Sequence, residues 1–131
     1  MSKKIKVAVI GLGYWGPNIA RNIHSLDNCE IAAVCDREKN RLDHVSQQYP
    51  RAKACSNVES ILNDREIDAV AIATPLHSHF PLSMASLEAG KHVLVEKPLA
   101  ATSEQCVELT QTAAKRGLIL MVGHTFLYSP E

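Results

Sequence analysis

The chain has 131 residues, 46% of them apolar and 21% charged, which suits one domain with a real core and not two. Lys plus Arg and Asp plus Glu both number 14, so the formal net charge is zero, which excludes a basic face for nucleic acid and a polybasic membrane patch. No apolar run approaches the roughly 20 residues of a membrane helix, and the first apolar run is too short for a signal peptide.

The elements alternate. Residues 5–10 (IKVAVI) predict a strand that ends at Gly11. Residues 14–26 predict a helix with Ile19, Ala20, Ile23 and Leu26 on one face. Residues 30–35 (EIAAVC) predict a second strand, and 37–49 a polar helix with Leu42, Val45 and Tyr49 inward. Residues 52–55 predict a third strand, followed by a short helix over 57–62 with Ser56 as N-cap. Residues 69–73 (AVAIA) do not alternate, as expected of a strand covered on both faces. A helix over 78–89, stopped by Gly90, leads to a strand over 92–95. A helix over 103–115, with Ser103 as N-cap and an end near Gly117, leads to a last strand over 118–122. This pattern predicts a doubly wound α/β fold, a parallel sheet with helices on both faces. Residues 1–124 form the predicted domain, and 125–131 (TFLYSPE) belong to no predicted element. That tail carries Phe126, Leu127 and Tyr128, which predict self-association or disorder if nothing covers them.

The four cysteines have no CxxC spacing. Cys29 and Cys35 fall near opposite ends of one strand, too far apart for a disulfide. All four read as small buried hydrophobes, and free thiols fit a reducing cytoplasm. No histidine has a zinc-like pairing with cysteine, and no metal is expected.

Chemistry concentrates in a few segments. Gly11-Leu12-Gly13-Tyr14-Trp15-Gly16 is GxGxxG between a strand and a helix, and Asp36 follows 20 residues past Gly16 at the end of the next strand. That context fits a dinucleotide fingerprint. Gly11 permits the tight turn, Gly13 lets backbone approach a pyrophosphate, and Gly16 lets the helix pack on the strand. The helix N-terminus offers N–H groups to phosphates, and Pro17 suits its first turn. Tyr14 and Trp15 join the coenzyme loop as packing and loop-shaping groups. Asp36 can accept from both adenosine ribose hydroxyls and would repel a 2′-phosphate, which favours NAD over NADP. Arg37 opposes this, since its guanidinium could hold that phosphate or stack on adenine. The rival role for Asp36 is an N-cap.

In an open parallel sheet, ligands bind beyond the carboxyl ends of the strands. Thr74-Pro75-Leu76-His77-Ser78-His79 follows the fourth predicted strand, Glu96-Lys97-Pro98 the fifth, and Gly123-His124 the sixth. Lys97 is the candidate for chemistry: an ammonium beside a substrate hydroxyl lowers its pKa, and hydride loss from a carbinol needs that proton removed. Glu96 can orient Lys97 or face the nicotinamide ribose. His77 and His79 are candidates for touching ligand, with Ser78 as a possible helix cap. His124 lies near the expected nicotinamide position. His24, His44 and His92 read as structural.

The segments GLGYWGPNIARN, Asp36-Arg37, ATPLHSHFPLSMASLEAGKHVLVEKPLA and VGHTFLYSP together resemble the Gfo/Idh/MocA oxidoreductases along the whole chain. GYWGPN and GHTFLYSP are most similar to the nucleotide-sugar dehydrogenases of that family, which include enzymes acting on UDP-N-acetylglucosaminuronate. The resemblance implies pyrophosphate binding by Gly11, Gly13 and Gly16, and adenosine ribose binding by Asp36. It places Thr74, Pro75 and His79 along the coenzyme, Glu96 at its nicotinamide side, and Lys97 as the active-site lysine. It also implies a second α/β domain that binds a sugar or UDP-sugar and forms dimers. That domain is expected to be missing here, with 125–131 starting the connection to it, so turnover by this chain alone is not expected.

Overall fold

The computed structural model describes residues 3–123. Its strands are β1 (Ile5–Ile10), β2 (Cys29–Cys35), β3 (Lys53–Cys55), β4 (Ala69–Ile72), β5 (His92–Glu96) and β6 (Leu120–Gly123). Its helices are α1 (Gly16–His24), α2 (Lys39–Ser46), α3 (Glu59–Leu62), α4 (His79–Glu88) and α5 (Ser103–Arg116). A 3-10 turn at Leu76–Ser78 precedes α4. All pairings are parallel, in the order β3-β2-β1-β4-β5-β6. This is the doubly wound Rossmann arrangement, with its switch point between β1 and β4.

Side chains alternate along β1. Val7 and Val9 join Ala20 and Ile23 of α1 and Leu42 and Val45 of α2. Ala8 and Ile10 face the other layer, with Ile61 of α3, Leu87 of α4 and Leu109 and Ala113 of α5. Leu42, Val45 and Tyr49 are buried as the sequence suggests, but Leu26 is 51% exposed because α1 ends at His24, before its turn begins.

Several helix starts differ from the sequence expectation. The helix expected over 14–26 begins at Gly16, since Tyr14 and Trp15 form the bend of the glycine loop. That expected over 37–49 begins at Lys39. Helix α3 begins at Glu59 and not behind Ser56; the Asn57 carboxamide oxygen instead accepts from the Ser60 N–H at 3.3 Å. The cap of α5 is Thr102 and not Ser103: the Thr102 hydroxyl accepts from the Gln105 N–H at 3.1 Å. A threonine in extended backbone one residue earlier fills the role that Ser103 was expected to fill. Gly117 ends α5 in the left-handed conformation (φ 66°).

Of the cysteines, only Cys35 is fully buried; Cys29, Cys55 and Cys106 are half-buried. Cys35 lies opposite Cys55 in the β2–β3 register. Burial, reinforced by Cys55 and Asp36, pushes the Cys35 thiol up to about 11. At pH 8 about 0.1% of it is thiolate, against about 10% for a thiol at the ordinary 9.0. Disulfide-exchange labelling followed by mass spectrometry should therefore leave Cys35 unmodified in the native protein and modify it about a hundredfold faster in urea. The folded thiol also keeps its proton to higher pH than the unfolded one, so this group's contribution to stability falls as pH rises from about 9 to about 11.

Among the described residues, no helix is long and apolar enough to cross a membrane. His124 and the apolar tail at 126–128 lie outside the described residues.

Candidate functional site

One row of the sheet fixes the rim. Cys55, Cys35, Ile10, Ile72, Val95 and Val122 stand side by side across the six strands. The next residue on each strand is Ser56, Asp36, Gly11, Ala73, Glu96 and Gly123. The glycine loop, Asp36, the Thr74 loop and Lys97 therefore all emerge from one edge, as the sequence reading required.

The glycine loop is shaped by close backbone approach. Gly11 has φ +93°, and its N–H donates to the Cys35 carbonyl at 2.9 Å. A Cβ on Gly11 would lie 2.8 Å from the carbonyl carbon and oxygen of Ala73, and one on Gly16 would overlap the carbonyl oxygen of Gly11. Gly13 differs: a Cβ there would meet only the end of the Arg41 side chain, at 3.5 Å. The loop is thus packed from below at Gly11 and Gly16 and open at Gly13. No side chain caps the N-terminus of α1, and no acidic residue sits in its first turn. Its N–H groups and positive dipole end suit a pyrophosphate. Tyr14 is 81% exposed and Trp15 43%, and their rings meet edge to face at 4.7 Å. Tyr14 therefore packs on Trp15 and not into the core.

Asp36 anchors this loop. Its Oδ2 accepts from the Leu12 N–H at 2.7 Å, and its Oδ1 accepts from the Glu38 N–H at 2.8 Å. The N-cap position of α2 belongs to Glu38, so Asp36 closes a turn two residues ahead of that cap and does not cap the helix. Each carboxylate oxygen keeps a second acceptor site, which leaves capacity for ribose hydroxyls. Arg37 is exposed. Sequence reasoning missed Arg41, whose Nε pairs with Glu38 Oε2 at 2.7 Å and whose guanidinium lies over Gly13. The i,i+3 spacing of Glu38 and Arg41 was a signal for this.

On the β4 side, the Ala73 N–H donates to the Ile10 carbonyl at 2.8 Å. Thr74 is half-buried, and Pro75 and His77 are exposed. The Ser78 hydroxyl donates to Thr74 Oγ1 at 2.5 Å and to the Pro75 carbonyl at 2.7 Å. Ser78 thus braces the loop and makes no side-chain cap to α4. His79 is buried and bound to two backbone carbonyls, so it supports the rim from beneath.

At the end of β5, Glu96 is 8% exposed, and its Oε1 has no hydrogen-bond partner among the described residues. Its Oε2 lies against Gly123, where an added Cβ would come within 3.2 Å. A buried carboxylate oxygen at this edge can accept a hydrogen bond from a ligand donor. Lys97 is exposed, its N–H donates to the Gly123 carbonyl at 3.3 Å, and the Lys97–Pro98 peptide is cis.

A polar cavity of about 490 Å³ lies at the opposite edge, lined by Asn63, Arg65, Asp68, Lys91 and His92 among others. Its main polar groups already hold structure. The Lys91 ammonium donates to the Asp64 and Ile67 carbonyls, and Asp68 accepts from the Lys6 N–H. His92 Nδ1 accepts from the Ile119 N–H. Burial pushes the Lys91 ammonium down from its ordinary value. The amino ends of parallel strands do not form ligand sites by rule, so the rim remains the candidate.

The sequence profile of the Gfo/Idh/MocA oxidoreductase family, described by its NAD-binding Rossmann fold, matches residues 5–124. The chain belongs to that family. It is 37% identical over 125 residues to the oxidoreductase YdgJ of Escherichia coli, covering 95% of this chain and 35% of the relative. It is 34% identical over 121 residues to the NADP-dependent scyllo-inositol 2-dehydrogenase IolW of Bacillus subtilis, covering 92% and 33%. Among solved structures, GenD2 from gentamicin A biosynthesis, in complex with NAD, superposes with TM-score 0.93 at 29% identity, covering 99% of this chain and 37% of that one. A 3-ketoreductase from Actinomadura kijaniata in complex with NADP superposes with TM-score 0.90 at 29% identity, covering 98% and 41%. The chain thus spans little more than a third of the length of these Gfo/Idh/MocA relatives.

Proposed function

We propose that this chain is the coenzyme-binding part of a NAD-dependent oxidoreductase that acts on a CH–OH group of a sugar or nucleotide-sugar. The observation that carries the reading is the rim itself: an open Gly13, an uncapped α1 N-terminus, Asp36 locked to the loop and a Glu96 oxygen with no partner among the described residues share one sheet edge. The glycine loop and α1 N–H groups would hold the pyrophosphate, Asp36 the adenosine ribose, and Thr74, Pro75 and Glu96 the remainder. The nicotinamide supplies the hydride-accepting ring when bound. Lys97, exposed on that rim, stabilises the developing alkoxide and helps its proton leave. The sugar pocket and an acid/base partner come from outside the described residues.

Asp36 supports NAD, because a 2′-phosphate beside it meets a negative charge. Arg37 and Arg41 are the groups that would favour NADP, and Glu38 partly neutralises Arg41. Fluorescence titrations of the chain with NADH and NADPH test this. Tighter NADH binding is expected; tighter NADPH binding overturns the reading of Asp36, and binding of neither overturns the function. UDP-sugars with NAD should give no turnover from this chain alone.

A further inference from the structure

His79 opens α4 and is 2% exposed. Its Nδ1 lies 2.7 Å from the Pro98 carbonyl oxygen and its Nε2 lies 2.8 Å from the Thr74 carbonyl oxygen. Carbonyl oxygens only accept hydrogen bonds. A neutral imidazole has one N–H and one lone pair, so it would satisfy one carbonyl and turn a lone pair onto the other. Only the imidazolium, with two N–H groups, donates to both. We propose that His79 is a doubly protonated clamp, a positioning residue that ties the β4 loop to the Lys97–Pro98 turn and so sets Lys97 and Glu96 on the coenzyme rim.

The placement explains the link. Thr74 follows the strand that borders the switch point, and Pro98 follows Lys97 directly. One ring fixes the carbonyls of both loops, which no backbone bond between them does. Ser78, next in the chain, braces the same loop through Thr74 Oγ1 and the Pro75 carbonyl. Two charge-assisted bonds offset the cost of burying the cation. The charged groups of the surrounding segments are Glu96 and Lys97 at the end of β5 and exposed His77 in the loop. Helix α5, which packs on α4, adds exposed Glu104 and Glu108. Glu96 is the buried carboxylate among them.

The positioning role rests on the function proposed above, but the charge state does not, and the two are read separately. Long-range proton–nitrogen NMR on the histidine-labelled chain at pH 7.5 should show both ring nitrogens of His79 protonated. A single protonated nitrogen at His79 overturns the clamp. His79→Gln and His79→Asn present donors from one nitrogen only and cannot span both carbonyls. Folded variants should bind NADH about tenfold more weakly, the cost of roughly one charged hydrogen bond. Their Lys97 and Thr74 amide signals should move together, while Lys91 at the opposite edge stays put. Variants that fold and bind NADH as the native chain does overturn the positioning role. A native chain that binds no NADH defeats the functional reading and leaves the nitrogen measurement to decide the clamp.

Discussion

Replacing Gly16 with alanine should cost about 3 kcal/mol or more of folding stability and abolish coenzyme binding. The added Cβ would overlap the Gly11 carbonyl oxygen and lie 2.9 Å from its carbonyl carbon. Both are backbone atoms that no rotamer change moves away. Relief requires α1 to lift from the end of β1, which opens the packing of Ala20 and Ile23 on Val7 and Val9. It also tilts the helix N-terminus away from the loop. Gly90→Ala is the control: Gly90 has φ +82° and nothing within 4 Å of an added Cβ. It should lose only the penalty of a left-handed alanine, about 1 kcal/mol. Urea denaturation of both variants, followed by circular dichroism, makes the comparison. Equal losses would contradict the close packing assigned to Gly16.

Asp36→Ala should have the second largest effect, because one carboxylate serves both loop structure and ligand. The substitution strips the acceptor from the Leu12 and Glu38 N–H groups. Hydrogen bonds to a charged group contribute about 1.5–3 kcal/mol each, and Asp36 is partly open to water, so a loss of about 2 kcal/mol is expected. NADH affinity should fall about a hundredfold, by two ribose bonds and a loosened loop. Asp36→Asn separates the two roles. Its carboxamide oxygen preserves one of the N–H bonds while its charge is gone. The ratio of NADPH to NADH affinity should then rise, since repulsion of a 2′-phosphate is relieved. An unchanged ratio would detach Asp36 from coenzyme choice and leave it a structural turn residue.

The architecture was legible because its signals are local. β-branched runs ending in glycine or in an acidic residue set the strands, and 3.6-residue spacing set the helices, so the rim followed from parallel topology alone. The GxGxxG turn could be read because Gly11, Gly13 and Gly16 each answer a different backbone demand. What stayed hidden depends on partners distant in sequence. The Asp36 carboxylate reaches back to Leu12, 24 residues earlier, and no pattern in the chain announces that bond. His79 read as a ligand candidate because it follows the fourth strand at the ligand edge; the structure buries it, with its Nδ1 2.7 Å from the carbonyl oxygen of Pro98, 19 residues on. The start of α3 slipped because Asn57 took the capping role, whereas α5 begins at Ser103 as expected and only its cap moves, to Thr102. Tyr14 looked like a packing residue, and it is exposed with its ring edge-to-face against Trp15.

The central claim is that one adenine-nicotinamide molecule lies along the carboxyl edge of the sheet. Proton–nitrogen correlation spectra of the labelled chain, recorded through a titration with NADH, test it most directly. The account predicts saturable shifts at Gly11, Gly13, Gly16, Asp36, Thr74, Glu96 and Lys97, with Asn63, Asp68, Lys91 and His92 unmoved. Shifts confined to those last four residues, or spectra that ignore NADH altogether, would contradict it.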